Sequence, residues 1–364
     1  MPATIHTRSI RERIAWLNEL SSEHSRLYRS PEAYLNRARY QARHPTYLIA
    51  FKCMDGRIHL PYITKTPLGI IEPFRNLGGA FDLGWPYLGE IVAASVMRAV
   101  NKGQRVLILA TYHFSRGDPL RCCAGFDHDT GKALQATEQF KAQIESVFGA
   151  DQQTVNTVVV GVETDEDALV FHGSNAEIMN LAEVGPGDER EDDLPQRVSR
   201  RLGQIYPEMH QAALADLVPL ALGNIRHIAE VRQEAVRTLD IEHHEWVLCV
   251  GRGFDFLHVP NTALIVGPYS PNMDEPIVTA ARLIQSNMEE GRIPDDGFVL
   301  LASSPYIDIG VDQRRAVEKA RFMSRFSAET IAREVPWVHE RMFRRTCVLN
   351  WNTRELTEIG ITKP

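Results

Sequence analysis

Tyr47-Leu48-Ile49-Ala50-Phe51-Lys52-Cys53-Met54-Asp55-Gly56-Arg57 joins an apolar run to a cysteine and a closely spaced acid–base pair. Tyr47 to Phe51 reads as a buried strand, so Cys53 falls where that strand ends. Val106 to Ala110 reads as another, and His113 follows it closely, with the pair Cys122-Cys123 further on. Parallel strands of an open α/β sheet bring their carboxyl ends to one rim, where ligands bind. A thiolate, an imidazole and a second thiolate arriving there would make a three-ligand zinc site with a fourth position open. An open position marks catalytic rather than structural zinc.

The chain of 364 residues is long enough for two domains, or one large one, with ample core. With 44% hydrophobic and 24% charged residues, it has an ordinary globular composition. A formal net charge of −7 argues against a dedicated nucleic-acid binder. No run of about 18 apolar residues occurs, so no membrane span is expected. The first residues lack a signal peptide's apolar stretch, and a cytoplasmic protein is the expectation. Five cysteines, two of them adjacent, make a poor disulfide framework. Metal ligand, buried thiol or nucleophile are the better readings in a reducing compartment. Two thiolates with an imidazole suit zinc among the transition metals.

Residues 1–45 read as a helical arm. Between 8 and 43 it carries eight arginines against four glutamates, with Ile10, Ile14 and Leu17 at helical spacing. Such an arm packs over the next domain or docks on an acidic partner. From Tyr47 onward, strand-like and helix-like stretches alternate: Leu68–Pro73, Gly89–Val100, Val106–Ala110, Gly131–Phe148 and Thr157–Val162. That alternation predicts an α/β fold, a mostly parallel sheet with flanking helices, over 46–205. Val184–Asp193 is rich in glycine, proline and charge, and reads as a mobile surface loop. Residues 208–240 read as helical.

Over 206–364 the pattern restarts. Glu245–Gly251 echoes the stretch around Cys53, with Cys249 matched to it. Gly297–Ala302 echoes Gln104–Ala110, and Thr346–Thr353 echoes Thr157–Thr164. Three apolar strands in the same order imply a duplicated unit. The second copy has no counterpart for the chemistry: Gly251 stands where Asp55 does, and Pro305 where His113 does. Cys249 alone cannot hold a metal, so the second half reads as structural.

Cys53-x-Asp55-x-Arg57, then Phe74-Arg75-Asn76-Leu77-Gly78-Gly79, then a strand ending at His113 and a later cysteine: this ordered set resembles the β-class carbonic anhydrases. That family reads Cys-x-Asp-x-Arg, Arg-Asn-Ala-Gly and His-x-x-Cys-Gly. Here Cys122 and Cys123 lie further from His113 than the family pattern has it. The enlarged gap and the fused, degenerate second copy are most similar to the carboxysome shell subgroup, though the helical N-terminal region is shortened. The resemblance implies a β-carbonic-anhydrase-like fold, duplicated in one chain as a pseudo-dimer that keeps one zinc site. It also implies reversible hydration of carbon dioxide to bicarbonate, with a homodimer or higher oligomer and a cytoplasmic or carboxysomal location. The N-terminal arm is then a candidate contact for a carboxysome or other protein partner.

The expected ligands are Cys53, His113 and Cys123, with Cys122 the alternative; Ala124 and Gly125 after Cys123 permit tight packing. Bound zinc brings the pKa of its water from about 15.7 down to about 7, which supplies hydroxide at neutral pH. Arg57, two residues from Asp55, would hold that carboxylate ionised and away from the metal. Asp55 would then accept a hydrogen bond from the hydroxide and aim its lone pair. Without Arg57, Asp55 would be free to take the fourth position, the closed state that the resemblance implies. Arg75, Asn76 and Gly78 are candidates to line the substrate pocket, with Arg75 bridging the halves or holding bicarbonate. Phe74, Phe81, Trp85 and Tyr87 could wall it, although aromatic core packing is the default. His128, and then His59 and His243-His244, are the histidines to weigh as proton shuttles. Two further readings stay open: hydration of carbon disulfide or carbonyl sulfide at the same zinc, and a non-catalytic zinc-bearing scaffold.

Overall fold

Buried β-branched and aromatic runs lay down two sheets in the computed structural model, which describes residues 5–149, 153–174, 176–184, 193–233, 243–257 and 259–362. The acidic loop read over Val184–Asp193 and the last residues of the helix read over 208–240 lie largely outside the described residues. The chain divides into two compact units. One comprises Leu35–Cys53 and Ile58–Arg237; the other comprises Met1–Tyr34, Met54–Arg57 and Thr238–Pro364.

The first-sheet unit holds β1 (Tyr47–Cys53), β2 (Ile71–Asn76), β3 (Val106–Phe114), β4 (Val155–Glu163), β5 (Ala168–His172) and β6 (Ile178–Asn180). Their order is β2-β1-β3-β4-β5-β6. The pairings from β2 to β4 are parallel, whereas β5 and β6 turn back antiparallel. All nine residues of β4 are buried, as expected of a strand covered on both faces. The helix Thr130–Phe148 that covers β3 and β4 starts at Asp129, whose carboxylate accepts the Lys132 N–H at 3.0 Å. It ends at Gly149, with φ of 100°.

The second-sheet unit holds β7 (Val247–Gly251), β8 (Ala263–Val266), β9 (Phe298–Tyr306), β10 (Met342–Asn350) and β11 (Leu356–Thr362), in the order β8-β7-β9-β10-β11. That is the order of β2-β1-β3-β4-β5, with the last strand again antiparallel. The duplicated α/β architecture expected from the sequence is therefore present. Register corrects the residue matching. Cys249 pairs with Leu301 in β9 as Ala50 pairs with Leu109 in β3, so Cys249 occupies the place of Ala50, short of the rim. Thr346 pairs with Ala302 as Val159 pairs with Ala110, so that echo slips as well. Similar apolar runs can be slid along each other in sequence, whereas hydrogen-bond register cannot.

The N-terminal arm begins with a capping box at Ser9 and Glu12, then runs as a helix over Ile10–Tyr28. Within the second-sheet unit, Ile10 and Leu17 are buried and the fully buried Arg13 bonds Asp296 at 2.6 Å and the Gly297 carbonyl at 3.0 Å. Among the described residues no helix is long and apolar enough to cross a membrane.

Two features of the first-sheet unit invite measurement. In the helix Gln211–Gln233, a methyl group on Gly223 would lie 1.8 Å from the Thr64 carbonyl oxygen. The neighbouring Asn224 bonds the Ile63 and Asp167 carbonyls and the Leu169 N–H. Gly223→Ala must push this helix off its seat, and a loss of about 2–4 kcal/mol is expected in urea unfolding. At the β4–β5 turn, burial pushes Glu163 up to about 7 from 4.5, against the pull of N–H bonds from Asp165 and Glu166. The folded state therefore holds this proton more tightly than the unfolded chain. Its contribution is complete below about pH 4.5 and is lost as pH rises through about 7. Glu163→Gln should flatten a stability loss of about 2–3 kcal/mol between pH 5 and 8, read from urea midpoints at both values.

Candidate metal centre

Cys53 is the last residue of β1, and His113 the penultimate residue of the adjacent parallel strand β3. Both therefore come to the same rim of the first sheet. Cys123 arrives from the loop that follows β3, just before a short 3-10 turn over Ala124–Phe126. All three side chains are buried, and their ligand atoms lie within 4.8 Å of one another. The two sulfurs are 3.8 Å apart. Two thiolates each about 2.3 Å from one tetrahedral ion would be separated by about 3.8 Å. The donor set and its spacing thus fit a zinc-sized ion.

Close packing between glycines sets this spacing. Gly78 and Gly79 both have positive φ, 70° and 69°. A methyl on Gly79 would meet the Thr111 carbonyl at 3.0 Å and the Cys53 nitrogen at 3.3 Å. A methyl on Gly125 would lie 2.7 Å from the backbone of Gly78. The turn after β2 can thus nest against the end of β1 on one side and the Cys123 loop on the other. Asn76 ties that turn by donating to the Ala80 carbonyl at 2.9 Å.

The loop between His113 and Cys123 is longer than the family spacing and is held from within. The Asp165 carboxylate accepts bonds from the Ser115 hydroxyl, at 2.8 Å, and from the Arg116 and Gly117 N–H groups, each at 2.8 Å. Burial acts to raise the pKa of Asp165, but these bonds outweigh it and hold the carboxyl below its ordinary value. Cys122 serves the same loop: its sulfur accepts from the Ser115 N–H at 3.4 Å and from the Thr130 hydroxyl at 3.6 Å. It is not one of the converging trio. Its carbonyl accepts from Nδ1 of His128 at 2.9 Å, which fixes the proton on that nitrogen.

Asp55 and Arg57 belong to the other unit by their contacts, although Asp55 follows Cys53 by two positions in the chain. Arg57 grips the carboxylate from three directions: Nη2 to Oδ2 at 2.7 Å, Nε at 3.1 and 3.2 Å, and its own N–H at 2.8 Å. Both residues are buried, and a buried pair of this kind costs about 3–5 kcal/mol when one partner is removed. Beside them stands a group that sequence reading passed over as part of a strand echo. Glu245, fully buried, accepts the Gly56 N–H at 3.3 Å and bonds Nδ1 of His243 at 3.0 Å. Asp55, His243 and Glu245 form a second cluster of potential ligand atoms. The only signal available in sequence was one carboxylate set directly before the run Trp246–Val250.

The remaining candidates fall as follows. Arg75 donates from Nη2 to the Ile58 carbonyl at 2.9 Å. Phe74 and Phe81 pack with Phe51 and Phe140, with ring centroids 4.7–5.0 Å from Phe51, as core aromatics do. Trp85 and Tyr87 are half-buried, and His59 is buried at the start of the short helix Leu60–Ile63.

Comparison with known proteins follows the same residues. Residues 47–183 match the family model described as "Carboxysome Shell Carbonic Anhydrase, catalytic domain". The carboxysome shell carbonic anhydrase of Hydrogenovibrio crunogenus is 29% identical over 244 residues, covering 57% of this chain and 45% of that protein. That of Prochlorococcus marinus subsp. pastoris is 24% identical over 236 residues, covering 57% and 46%. The Halothiobacillus neapolitanus protein is 28% identical over 134 residues, covering 33% and 26%. The chain thus spans less than half the length of the curated relatives it matches. On motif order, sheet topology and these matches together, the chain is similar to the carboxysome shell carbonic anhydrases, and the likeness to their catalytic domain lies in residues 47–183.

Proposed function

We propose that this protein is a zinc carbonic anhydrase that interconverts carbon dioxide and bicarbonate. The observation that carries this reading is the convergence of Cys53, His113 and Cys123, with sulfurs 3.8 Å apart, on one sheet rim. These three residues would hold the zinc, which when bound supplies a water acidified from about 15.7 to about 7 and hence a nucleophile at neutral pH.

The chain's own groups do the rest. Two thiolates place more negative charge at the centre than imidazoles would, which opposes loss of a proton from the attacking water. Asp55 offsets this by accepting that water's hydrogen bond and orienting its lone pair. It can do so because Arg57 neutralises the carboxylate and fixes its rotamer through both Nε and Nη2. Gly78 and Gly79, by letting the backbone pass close to Cys53, leave no side chain in the space beside that ligand. Cys122 keeps the long loop folded so that Cys123 reaches the rim. The relatives' names place those proteins in the carboxysome shell, and we propose the same location for this one.

Purified protein should contain one zinc per chain and catalyse carbon dioxide hydration in a stopped-flow indicator assay. Cys53→Ala and Cys123→Ser should each lose the metal and the activity, while Cys122→Ser should keep the metal at reduced stability. A Cys122→Ser protein that loses zinc while Cys123→Ser retains it would reverse the ligand assignment. Asp55→Ala should retain zinc and lose about 10²–10⁴-fold in kcat; an unchanged kcat removes Asp55 from the mechanism.

A further inference from the structure

Gly56 lies between the two residues of the dyad, and its surroundings within the second-sheet unit leave no room for a side chain. A methyl there would meet the Ala263 carbonyl at 2.9 Å and both Cγ and Oε1 of Glu245 at 3.0 Å. The segment is stitched down by backbone bonds on either side: the Met54 carbonyl accepts from Ile265 at 2.9 Å, and the Gly56 carbonyl from Asn261 at 3.1 Å. The remaining bond to this peptide comes from a side chain. Gly56 donates its N–H to Oε1 of Glu245.

A fully buried carboxylate at the start of a strand is expensive unless it is compensated. Glu245 is compensated by His243, whose Nδ1 lies 3.0 and 3.1 Å from its two oxygens. Asp55, Arg57 and Glu245 all bear on that imidazole. Burial alone would lower the His243 pKa, and Arg57 acts the same way, but Glu245, aided by Asp55, raises it overall. Asp55 is thus paired with Arg57, and Glu245 is bonded to His243.

We propose that Glu245 is a positioning residue for the Asp55–Arg57 dyad: its carboxylate pins the Gly56 peptide between them and holds the His243 imidazole against Asp55. Glu245 and His243 lie in the same compact unit as Asp55 and Arg57, and the second repeat thereby serves the dyad. This inference rests on the carbonic anhydrase reading for its kinetic consequence but not for its structural one, and the test separates the two.

Glu245→Gln keeps the shape of the side chain and removes its charge. Zinc content should stay at one per chain and KM should change less than twofold, while kcat falls about 10–100-fold. In an imidazole NMR titration, the midpoint of His243 should drop by about one pH unit or more. The Gly56 amide should lose hydrogen-exchange protection in Glu245→Ala. If glutamine at 245 prevents folding, His243→Gln, on a side chain 23% exposed, should lower kcat in the same way at unchanged zinc content. Unchanged kcat in a folded, zinc-loaded variant overturns the proposal, as does a second zinc per chain that Glu245→Gln removes. An inactive wild type overturns the carbonic anhydrase reading alone, and the Gly56 exchange and His243 titration then decide whether Glu245 positions the dyad.

Discussion

Two buried sulfurs held 3.8 Å apart are the constraint on which the first sheet's rim is built. Were both thiolates, they would repel one another in a medium that screens poorly, and a shared cation would relieve that repulsion. The protein holds the sulfurs at this spacing with backbone. Cys53 ends a strand that is paired in parallel on both sides and itself pairs with Asn76 of β2, and Cys123 is held by a loop that Asp165 and Cys122 fix from inside. Three glycines, at 78, 79 and 125, remove the side chains that would keep these pieces apart. A metal bound here would not have to gather its ligands from a flexible chain, and little ordering entropy would be left for binding to overcome.

That rigidity separates two tasks within neighbouring stretches of chain. Cys53 groups with the first sheet, whereas Met54–Arg57 group with the second, where Ile265, Asn261 and Glu245 fix their backbone. Under the proposed function, metal binding and carboxylate orientation would thus depend on different scaffolds. In the proposed role Asp55 would need two opposite provisions. It would have to stay ionised while buried, which the Arg57 pairing favours, and keep a lone pair for the reacting water, which limits how many donors can surround it.

Much of this was legible in the sequence because the relevant signals are local. Strand ends mark rims, so Cys53 and His113 could be placed together from two apolar runs alone. Cys123 could be favoured over Cys122 only through the small residues after it, and Gly125 does pack against the Gly78 backbone. The role of Cys122 was not legible, since its bonds to Ser115 and Thr130 depend on how a long loop folds back. The duplication was visible as an order of strands, but residue matching by apolar pattern put Cys249 against Cys53. Register puts it against Ala50. Hydrophobicity says which stretches are buried, and it does not say how far a strand has slid. Glu245 was missed for the opposite reason: one acid before a strand has no pattern at all.

The fate of the second repeat follows from these physical demands. Its sheet repeats the first in order and in the direction of the last strand, so it folds by the same rules. At the place that register gives to Cys53 stands Arg252, whose N–H is turned to the Ser303 carbonyl at 3.1 Å. The chain reaches it through Gly251, with φ of 122°, where a methyl would lie 1.9 Å from that same carbonyl. This rim is built around a glycine kink and does not present residue 252 as an extended strand end presents Cys53. A cysteine placed at 252 would leave from a bent backbone, and register puts Pro305 at the position of His113. Backbone geometry as well as side-chain identity thus sets this rim apart from that of the first sheet. What the unit still requires is its packing around Met54–Arg57, where Gly56 admits no other residue.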